Sequence, residues 1–467
     1  MRVFMLGWEF PPFISGGLGT ACYGLTKALS ALNTHITFVL PKAVGTEYTS
    51  HVRVLSPQAP EAAQGSRSPA AVASTYDLAA QGANGNGGTR AASKDAAFAN
   101  VEFKAVPARF ASPYPSGPPI RRKTQSATQH EQQQRIGVLQ DPMARGVAAV
   151  PNAPFTQYTG DLIAEARRYA ALCVNLAANT DFDVIHAHDW ITFPAALAVA
   201  AVTGKPLVVQ VHSTEFDRSG EHVNQQIYDI ERRGMHAACR VIAVSHLTKS
   251  IIEHRYGVAS SKIDVVYNGI ENGLPMVDPM NRAAIRRGDK IVLFLGRITM
   301  QKGPEYFVKA AKKVLQILPD TKFVMAGSGD RVTDVIELAA AEGIGQKVLF
   351  TGFLAGADVA RVFEMADVYV MPSVSEPFGI SPLEAISHDV PVIISKTSGV
   401  SEVLTHALKV DFWDTEEIAN KIIAVLRHPP LSSTLRHHAD MEVRRLTWSD
   451  AASHCISTYR HALSAMP

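Results

Sequence analysis

Short apolar runs alternate with longer amphipathic segments along most of this 467-residue chain. The apolar runs are rich in Val, Ile, Leu and Phe, which is typical of strands buried on both faces of a parallel sheet. The candidate strands of the first half are 2–7, 35–41, 183–188, 206–212, 240–245 and 263–269. Candidate helices lie between them, among them 161–178, 193–201 and 221–238. This order predicts an α/β fold with a doubly wound parallel sheet.

The alternation restarts in the second half of the chain. Its candidate strands are 290–296, 322–330, 347–353, 367–373 and 391–396. We therefore predict two facing, Rossmann-like parallel-sheet domains, 1–270 and 271–445, and a last helix, 446–467, that packs back on the first domain. Ligands of open parallel sheets bind at the carboxyl ends of the strands, so the cleft between the domains is the expected site.

The composition changes between about residues 56 and 154. This stretch is poor in branched and aromatic residues and rich in Ala, Ser, Gly, Pro and Gln. It predicts an insertion that is largely disordered or loosely packed, in which 101–110 could form a strand of the fold. The insertion either covers the cleft or is an inert surface excursion, and we favour the second.

Composition also narrows the class of protein. Lysine plus arginine number 45 against 43 acids, so the basic excess of a general nucleic-acid binder is missing. No apolar run is long enough to cross a bilayer, and the N-terminus lacks a signal peptide's features. The four cysteines are scattered outside any metal-ligand spacing: Cys22, Cys173, Cys239 and Cys455. Reduced thiols in a cytoplasmic protein are the prediction.

Two glycines stand between the first strand and the following helix. Gly16 and Gly17 would let backbone N–H groups approach an anion at a helix N-terminus. An ordinary turn explains them equally well. A dinucleotide fingerprint is unsupported, because Cys22 stands where Gly or Ala is required and no acid follows the second strand.

Polar residues also follow the strands of the first domain. His212 ends the strand 206–212, and His186, His188 and Asp189 follow the strand before it. Lone histidines are more often structural, and no third metal ligand stands nearby. Asp181 precedes the strand 183–188 and so lies at the other edge of the sheet, where we expect a solvated turn residue.

Charged residues follow the strands of the second domain. Arg297 and Lys302 lie between a strand and the helix that begins at Pro304, which suits a diphosphate. The stretch SEPFGISPLE holds Glu376 and Glu384. A capping box with Ser381 at the N-cap accounts for Glu384. It leaves Glu376 unexplained.

Several blocks together resemble retaining glycosyltransferases of family 4, with features of the bacterial glycogen and starch synthases. The blocks are GWEFPPFISGGLGTA, HAHDW, VHSTEFDRSGE, VSHLTKSII, VVYNGI, FLGRITMQKG and SEPFGISPLEAIS. The resemblance implies the GT-B fold, a nucleotide-sugar donor, no metal and no cofactor. It covers nearly the whole chain outside the insertion.

The resemblance also implies roles for individual residues. Glu376 would bond the donor sugar, Glu384 the ribose, and Arg297 with Lys302 the diphosphate. His212 would lie beside the transferred sugar, with Gly17 donating its N–H to the phosphate. The remaining implied substrate-binding residues are Gly16, Asp189, Gly352, Phe353, Leu354, Phe378, Gly379 and Ile380.

Two departures leave the donor open. Ile14 replaces the lysine that glycogen and starch synthases carry before the glycine pair, and Glu384 is typical of family 4 rather than of those synthases. ADP-glucose and UDP-glucose both remain candidate donors. No carboxylate beside His212 stands out as a nucleophile, and Glu215 is the nearest in sequence. We therefore favour same-face attack guided by the leaving phosphate.

The acceptor is also open. The leading hypothesis is extension of an α-glucan at its non-reducing end. The alternatives are a lipid or small-molecule acceptor, and a non-catalytic sugar-nucleotide-binding protein. A basic triplet, 121–123, is a weak hint of a membrane surface, so membrane association is not expected. The sequence does not indicate an oligomeric state.

Overall fold

A computed structural model describes residues 1–10, 16–40, 54–55, 100–105, 162–271 and 289–465. Ile14, the basic triplet 121–123 and most of the insertion expected at 56–154 lie outside these residues. The described part of the chain forms two parallel sheets with helices on both faces, as the sequence predicts.

The first sheet has eight strands in the order β3-β4-β2-β1-β5-β6-β7-β8, all paired in parallel. The strands are β1 (Arg2–Leu6), β2 (His35–Leu40), β3 (Val54–Leu55), β4 (Val101–Ala105), β5 (Val184–His188), β6 (Leu207–Val211), β7 (Arg240–Ala243) and β8 (Ile263–Val265). The strand expected at the start of 101–110 is therefore part of the fold, beside β2.

The second sheet has six strands in the order β11-β10-β9-β12-β13-β14, again all parallel. The strands are β9 (Lys290–Leu295), β10 (Thr321–Ala326), β11 (Val348–Gly352), β12 (Val368–Met371), β13 (Val392–Ser395) and β14 (Leu408–Val410). The strand order reverses beside β9, and β9 and β12 lie next to each other there. A ligand site is expected at such a reversal.

Helices cover both sheets. Those of the first domain are α1 (Gly17–Ala31), α2 (Leu162–Ala177), α3 (Phe193–Thr203), α4 (Glu215–Ser219), α5 (Gln225–Ala237) and α6 (His246–Tyr256). The later helices are α7 (Pro304–Ile317), α8 (Val332–Ala341), α9 (Ala357–Met365), α10 (Ser381–Ser387), α11 (Thr415–Arg427), α12 (Pro429–Val443) and α13 (Trp448–Ser464).

Strand side chains point alternately to the two faces of each sheet, so each sheet has a core on both sides. On β1, Phe4 and Leu6 enter one core of the first sheet, while Val3 and Met5 enter the other. All four are fully buried. Burial on both faces is the reason that the strands appear in the sequence as nearly continuous apolar runs.

The last helix, α13, packs against α1 of the first domain. Gly24 permits this contact, because a Cβ atom there would lie 2.2 Å from the indole ring of Trp448. Cys455 and Tyr459 on α13 are fully buried in the same core as Val3 and Met5. The chain therefore crosses from the second sheet back to the first before it ends.

Two helix starts differ from the sequence prediction. The helix expected at 221–238 begins at Gln225, and the short α4 precedes it with a capping box between Thr214 and Asp217. The capping box expected at Ser381 is wrong. Ile380 is the N-cap residue of α10 and makes no side-chain cap bond, so Ser381 is the first residue of the helix and not its cap.

Candidate active site between the two domains

Lys302 and Glu376 form an ion pair at the carboxyl end of the second sheet. Lys302 ends a short 3₁₀ helix, Met300–Lys302, in the loop after β9, and Glu376 lies in the loop after β12. Glu376 is 6 % exposed, and the hydroxyl of Ser373 donates to its Oε2 at 3.3 Å. A nearly buried carboxylate with a cation and a hydroxyl around it is held in one orientation before any ligand arrives.

The backbone around both residues is closely fitted. Gly303 has φ of 61°, and a Cβ atom there would lie 2.2 Å from the carbonyl oxygen of Pro372. The Glu376 backbone pairs with the loop after β13, through its N–H to the Thr397 carbonyl at 3.0 Å and from the Gly399 N–H to its own carbonyl at 2.9 Å. These contacts fix the two loops against each other.

Arg297 lies in the same loop as Lys302 and is partly buried. This loop and the loop after β10 approach each other closely, because Gly327 has no side chain. A Cβ atom on Gly327 would lie 1.8 Å from the carbonyl oxygen of Gly296. The helix α7 begins directly after this loop, so its N-terminus adds partial positive charge beside the two cations.

In the first domain, His212 is held by the end of β5. The carboxylate of Asp189 accepts the N–H of His212 at 2.7 Å and that of Ser213 at 3.3 Å. Asp189 itself has φ of 59°, a left-handed conformation that Asp tolerates better than most residues. The imidazoles of His188 and His212 lie 3.0 Å apart between Nδ1 and Nε2.

Burial controls the protonation of this group. It lowers the pKa of His212 to about 3, so that the imidazole is neutral near pH 7. Burial also raises the pKa of Asp189 to about 7, against the opposing effects of the Arg218 charge and of the two backbone N–H groups. The His212 imidazole therefore adds no charge of its own at neutral pH.

Glu215, the nearest carboxylate to His212 in sequence, is occupied by structural contacts. Its Oε2 accepts from Arg218 at 3.2 Å, and its Oε1 accepts from the Ser219 hydroxyl and the Asn224 N–H, both at 3.0 Å. Arg218 is fully buried and also pairs with Glu231. Glu215 therefore belongs to a buried ionic cluster that stabilises α4.

The helix α4 joins the two halves of the site. It lies against the 3₁₀ helix that ends at Lys302, and Asp217 within it accepts a hydrogen bond of 2.6 Å from the hydroxyl of Ser375. The residue before Glu376 thus contacts a helix that begins three residues after His212. This contact brings the His212 loop and the Glu376 loop together across the domain boundary.

A second set of contacts crosses the boundary at the start of α6. The hydroxyl of Ser245 donates to the carbonyl oxygen of Pro377 at 2.5 Å. The carboxylate of Glu402 accepts the N–H groups of His246 at 2.9 Å and Leu247 at 2.7 Å. A carboxylate at a helix N-terminus satisfies N–H groups that have no partner within the helix.

The other residues singled out from the sequence divide into two groups. Gly16 is the N-cap of α1 and Gly17 its first residue, and a Cβ atom on either would meet none of the described residues within 4 Å. Gly352 has φ of 75°, and the ring of Phe353 after it is 61 % exposed. Leu354 is partly buried.

The second group lies in the loop and helix after Glu376. Phe378 is buried and packs on Tyr267, with ring centroids 5.9 Å apart, so only its backbone is available to a ligand. Gly379 has φ of 101°, a conformation that favours glycine. Ile380 packs against cores of both domains. Burial raises the pKa of Glu384 to about 7.

Four residues of this interface were not singled out as site residues from the sequence. They are Asp217, Ser245, Ser375 and Glu402. The Thr214–Asp217 capping box was a readable signal for the first, whereas the other three have ordinary local sequences. Asp181 is as expected, because it lies before β5 and pairs with Arg2 at the surface.

Two searches of the described residues gave no site. Within them, His, Cys, Asp and Glu side chains do not gather in groups of three or more that could hold a metal ion. Among the helices that the structure describes, none combines the length and the apolar character needed to cross a membrane.

Comparison with known proteins assigns the chain to a family. It matches the family models "Glycosyl transferases group 1" over residues 279–441, "Glycosyltransferase Family 4" over 110–272 and "Starch synthase catalytic domain" over 2–83. It is 31 % identical over 301 residues to an uncharacterised glycosyltransferase of Methanocaldococcus jannaschii, covering 61 % of this chain and 77 % of that protein. The chain belongs to glycosyltransferase family 4. The family 4 resemblance stated from the sequence is confirmed.

More distant relatives of this family 4 glycosyltransferase have named activities. It is 29 % identical over 301 residues to a D-inositol 3-phosphate glycosyltransferase of Pseudarthrobacter chlorophenolicus, covering 60 % of this chain and 71 % of that protein. It is 23 % identical over 408 residues to a glycogen synthase of Mycobacterium tuberculosis, covering 86 % of this chain and 80 % of that protein.

Solved structures establish the fold of this family 4 glycosyltransferase. A sucrose-phosphate synthase from Thermosynechococcus elongatus superposes with a TM-score of 0.68 at 16 % identity, covering 99 % of both chains. HepE of Anabaena in complex with UDP and glucose superposes with a TM-score of 0.63 at 18 % identity, covering 98 % of this chain and 99 % of the other. The GT-B fold, with two parallel-sheet domains, is confirmed.

Proposed function

We propose that this chain is a retaining hexosyltransferase that moves a glucosyl unit from ADP-glucose or UDP-glucose to the non-reducing end of an α-glucan, without a metal ion. The observation that carries the proposal is the Lys302–Glu376 ion pair at the carboxyl end of the second sheet. It adjoins α4, the helix that follows His212, and so combines a cation for a leaving group with a carboxylate for sugar hydroxyls.

The cations account for departure of the leaving group. Cleavage of the bond between the sugar and the nucleotide leaves negative charge on the diphosphate. Arg297 and Lys302 lie in the loop directly before the N-terminus of α7, and all three carry positive or partial positive charge. Charges that are fixed before the reaction stabilise a transition state without reorganisation.

Glu376 serves two purposes in this scheme. Its carboxylate holds the ammonium of Lys302 and accepts hydrogen bonds from hydroxyl groups of the donor sugar. The neutral imidazole of His212 offers one donor and one acceptor nitrogen to the same sugar without adding charge. The sugar is then held in place while its anomeric carbon becomes positive.

The stereochemistry follows from what the nearby carboxylates do. Both oxygens of Glu215 accept hydrogen bonds from its own cluster, and Oδ1 of Asp189 accepts two backbone N–H groups. With its pKa raised to about 7, Asp189 is only partly ionised at neutral pH and is a weak nucleophile. Attack on the same face, with the leaving phosphate taking the proton of the acceptor, is the mechanism we propose.

The choice of donor and acceptor rests on the relatives. The glycogen synthase match extends over 86 % of this chain, and the HepE structure holds UDP and glucose. A second acceptor class is favoured by the D-inositol 3-phosphate glycosyltransferase, which is 29 % identical over a shorter region. A small polyol phosphate is therefore the alternative to an α-glucan.

A transfer panel tests the proposal. ADP-glucose and UDP-glucose, radiolabelled in the sugar, are each supplied with glycogen, maltooligosaccharides, inositol phosphate or no acceptor, with and without EDTA. We expect α-linked label in the glucans and no effect of EDTA. Label in inositol phosphate alone would replace the acceptor, β-linked product would overturn retention, and binding without transfer would indicate a non-catalytic protein.

The matched variants are Lys302→Ala and Lys290→Ala. Both lysines form ion pairs in the second domain, but Lys290 is the first residue of β9 and pairs with Asp367 just before β12, at the opposite edge of the sheet from Lys302. Calorimetry should give weaker binding of nucleoside diphosphate to Lys302→Ala and unchanged binding to Lys290→Ala. Equal affinity in both variants would mean that the diphosphate does not bind at the Lys302 loop.

A further inference from the structure

Three histidines and a tyrosine form a row through the first domain, in which only His212 is not fully buried. His186 and His188 point to the same face of β5 because they are two residues apart on a strand. Their ring centroids lie 4.3 Å apart. The phenol of Tyr459 on α13 lies 2.7 Å from Nδ1 of His186, and His188 contacts His212 at the other end of the row.

Core packing does not explain why position 188 is a histidine. His188 is fully buried, and within the described residues its Nε2 has no hydrogen-bond partner. A buried polar atom without a partner costs free energy that an apolar side chain on the same strand would not. The described hydrogen bond of the ring is the one from Nδ1 to Nε2 of His212, at 3.0 Å.

A hydrogen bond between two imidazoles couples the tautomer of one ring to that of the other. Each neutral ring carries one N–H, so one of the two facing nitrogens must be protonated and the other bare. Burial keeps both rings neutral by lowering the pKa of each. The remaining nitrogen of His212, Nδ1, is then a donor or an acceptor according to the choice made at His188.

We propose that His188 is a positioning residue that selects the tautomer and the orientation of the His212 imidazole. Asp189 holds the backbone of His212 through its N–H, and His188 holds the ring, so two consecutive residues at the end of β5 orient one side chain. The inference rests on the proposed function, in which His212 presents a ring nitrogen to the donor sugar.

The substitutions separate this role from simple packing. His188→Leu removes the contact to His212, whereas His188→Asn places an amide near the position of Nδ1 and keeps a hydrogen bond. Tyr459→Phe is the matched control, because it removes the hydrogen bond at the other end of the row without touching His212. His188 and Tyr459 are both fully buried, so a loss of stability is expected in each variant.

The first readout is ¹⁵N NMR of histidine-labelled protein, in which the His212 signals are assigned with a His212→Asn variant. We expect a single His212 tautomer in the wild type and in Tyr459→Phe, and a mixture of tautomers in His188→Leu. A mixture in the wild type, or an unchanged single tautomer in His188→Leu, would overturn the proposal. This readout needs no substrate. If the protein transfers no sugar, the proposed function is wrong, but the His212 tautomer still tests the role of His188.

The second readout is transfer kinetics. We expect His188→Leu to lower kcat about tenfold or more with little change in the donor KM, because tautomer selection matters most when charge develops in the transition state. His188→Asn should recover most of kcat, and Tyr459→Phe should keep it within about threefold. Equal kcat losses in His188→Leu and Tyr459→Phe would reduce the row to a structural role.

Discussion

The hydroxyl of Ser375 donates a hydrogen bond of 2.6 Å to Oδ1 of Asp217, and this contact joins the two domains one residue before Glu376. The other oxygen of Asp217 accepts the N–H and the hydroxyl of Thr214, each at 2.7 Å. Asp217 therefore caps α4 and contacts the second domain with the same carboxylate. This bond is one of the contacts that hold the Glu376 loop against the first domain.

Ser375→Ala is expected to lower kcat/KM about tenfold, because a hydrogen bond to a charged group contributes about 1.5–3 kcal/mol and this one orients the Glu376 loop. The thermal midpoint should fall by several degrees at most, so that the protein stays folded at the assay temperature. Ser387→Ala is the control, since that hydroxyl donates to the Leu383 carbonyl within α10. Wild-type kinetics in Ser375→Ala would mean that the contact does not position Glu376.

Glu376→Ala should lower turnover on the order of a hundredfold or more, the size of effect seen when one preorganised electrostatic group is removed from an active site. The affinity for nucleoside diphosphate should stay within about threefold, because Lys302 remains. Initial-rate transfer assays measure the turnover, and calorimetry measures the affinity for nucleoside diphosphate. Glu417→Ala, a change of a surface acid that pairs with Lys421, is the control. Unchanged turnover would refute the role of Glu376.

Gly17→Ala should weaken binding of the nucleotide sugar without destabilising the fold. A methyl group there meets none of the residues that the structure describes, and alanine at the start of α1 raises the free energy of unfolding by up to about 1 kcal/mol. Gly24→Ala should instead destabilise the fold by about 1–3 kcal/mol, because its methyl collides with Trp448. Urea unfolding and calorimetry give both quantities. Wild-type affinity in Gly17→Ala would exclude a phosphate contact at Gly17.

Asp189→Asn should flatten the pH dependence of the unfolding free energy. Burial raises the pKa of Asp189 to about 7 in the folded protein, against about 3.9 when unfolded, so the folded protein binds its proton more tightly. Its contribution to stability is full below pH 4 and is lost as the pH rises to 7. Asparagine keeps an oxygen for the His212 N–H and tolerates the φ of 59°.

Urea unfolding of the wild type and of Asp189→Asn between pH 5 and pH 8 measures this difference. The wild type should lose unfolding free energy relative to the variant as the pH rises. The buried histidines act in the opposite direction, since their lowered pKa values remove stability as the pH falls, but they are present in both proteins. Parallel curves would mean that Asp189 is ionised throughout this range.

Much of the fold was predictable because strand and helix periodicity are local. The strand expected at 183–188 is Val184–His188, and the helix expected at 161–178 is Leu162–Ala177. Because β5 and β6 are parallel neighbours, their ends had to place Asp189 and His212 at the same edge of the sheet. The start of α10 was misplaced by one residue, because its N-cap, Ile380, packs against cores of both domains and the local sequence does not show such contacts.

By itself, the sequence determined two parallel sheets and the residues that follow each strand, because short-range alternation of apolar and polar side chains is enough to specify both. Only the tertiary structure decided which of those residues meet. Lys302 and Glu376 are 74 positions apart, and Asp217 and Ser375 are 158 apart. Their contacts depend on strand order and on how two separate cores pack together, and no local pattern encodes either.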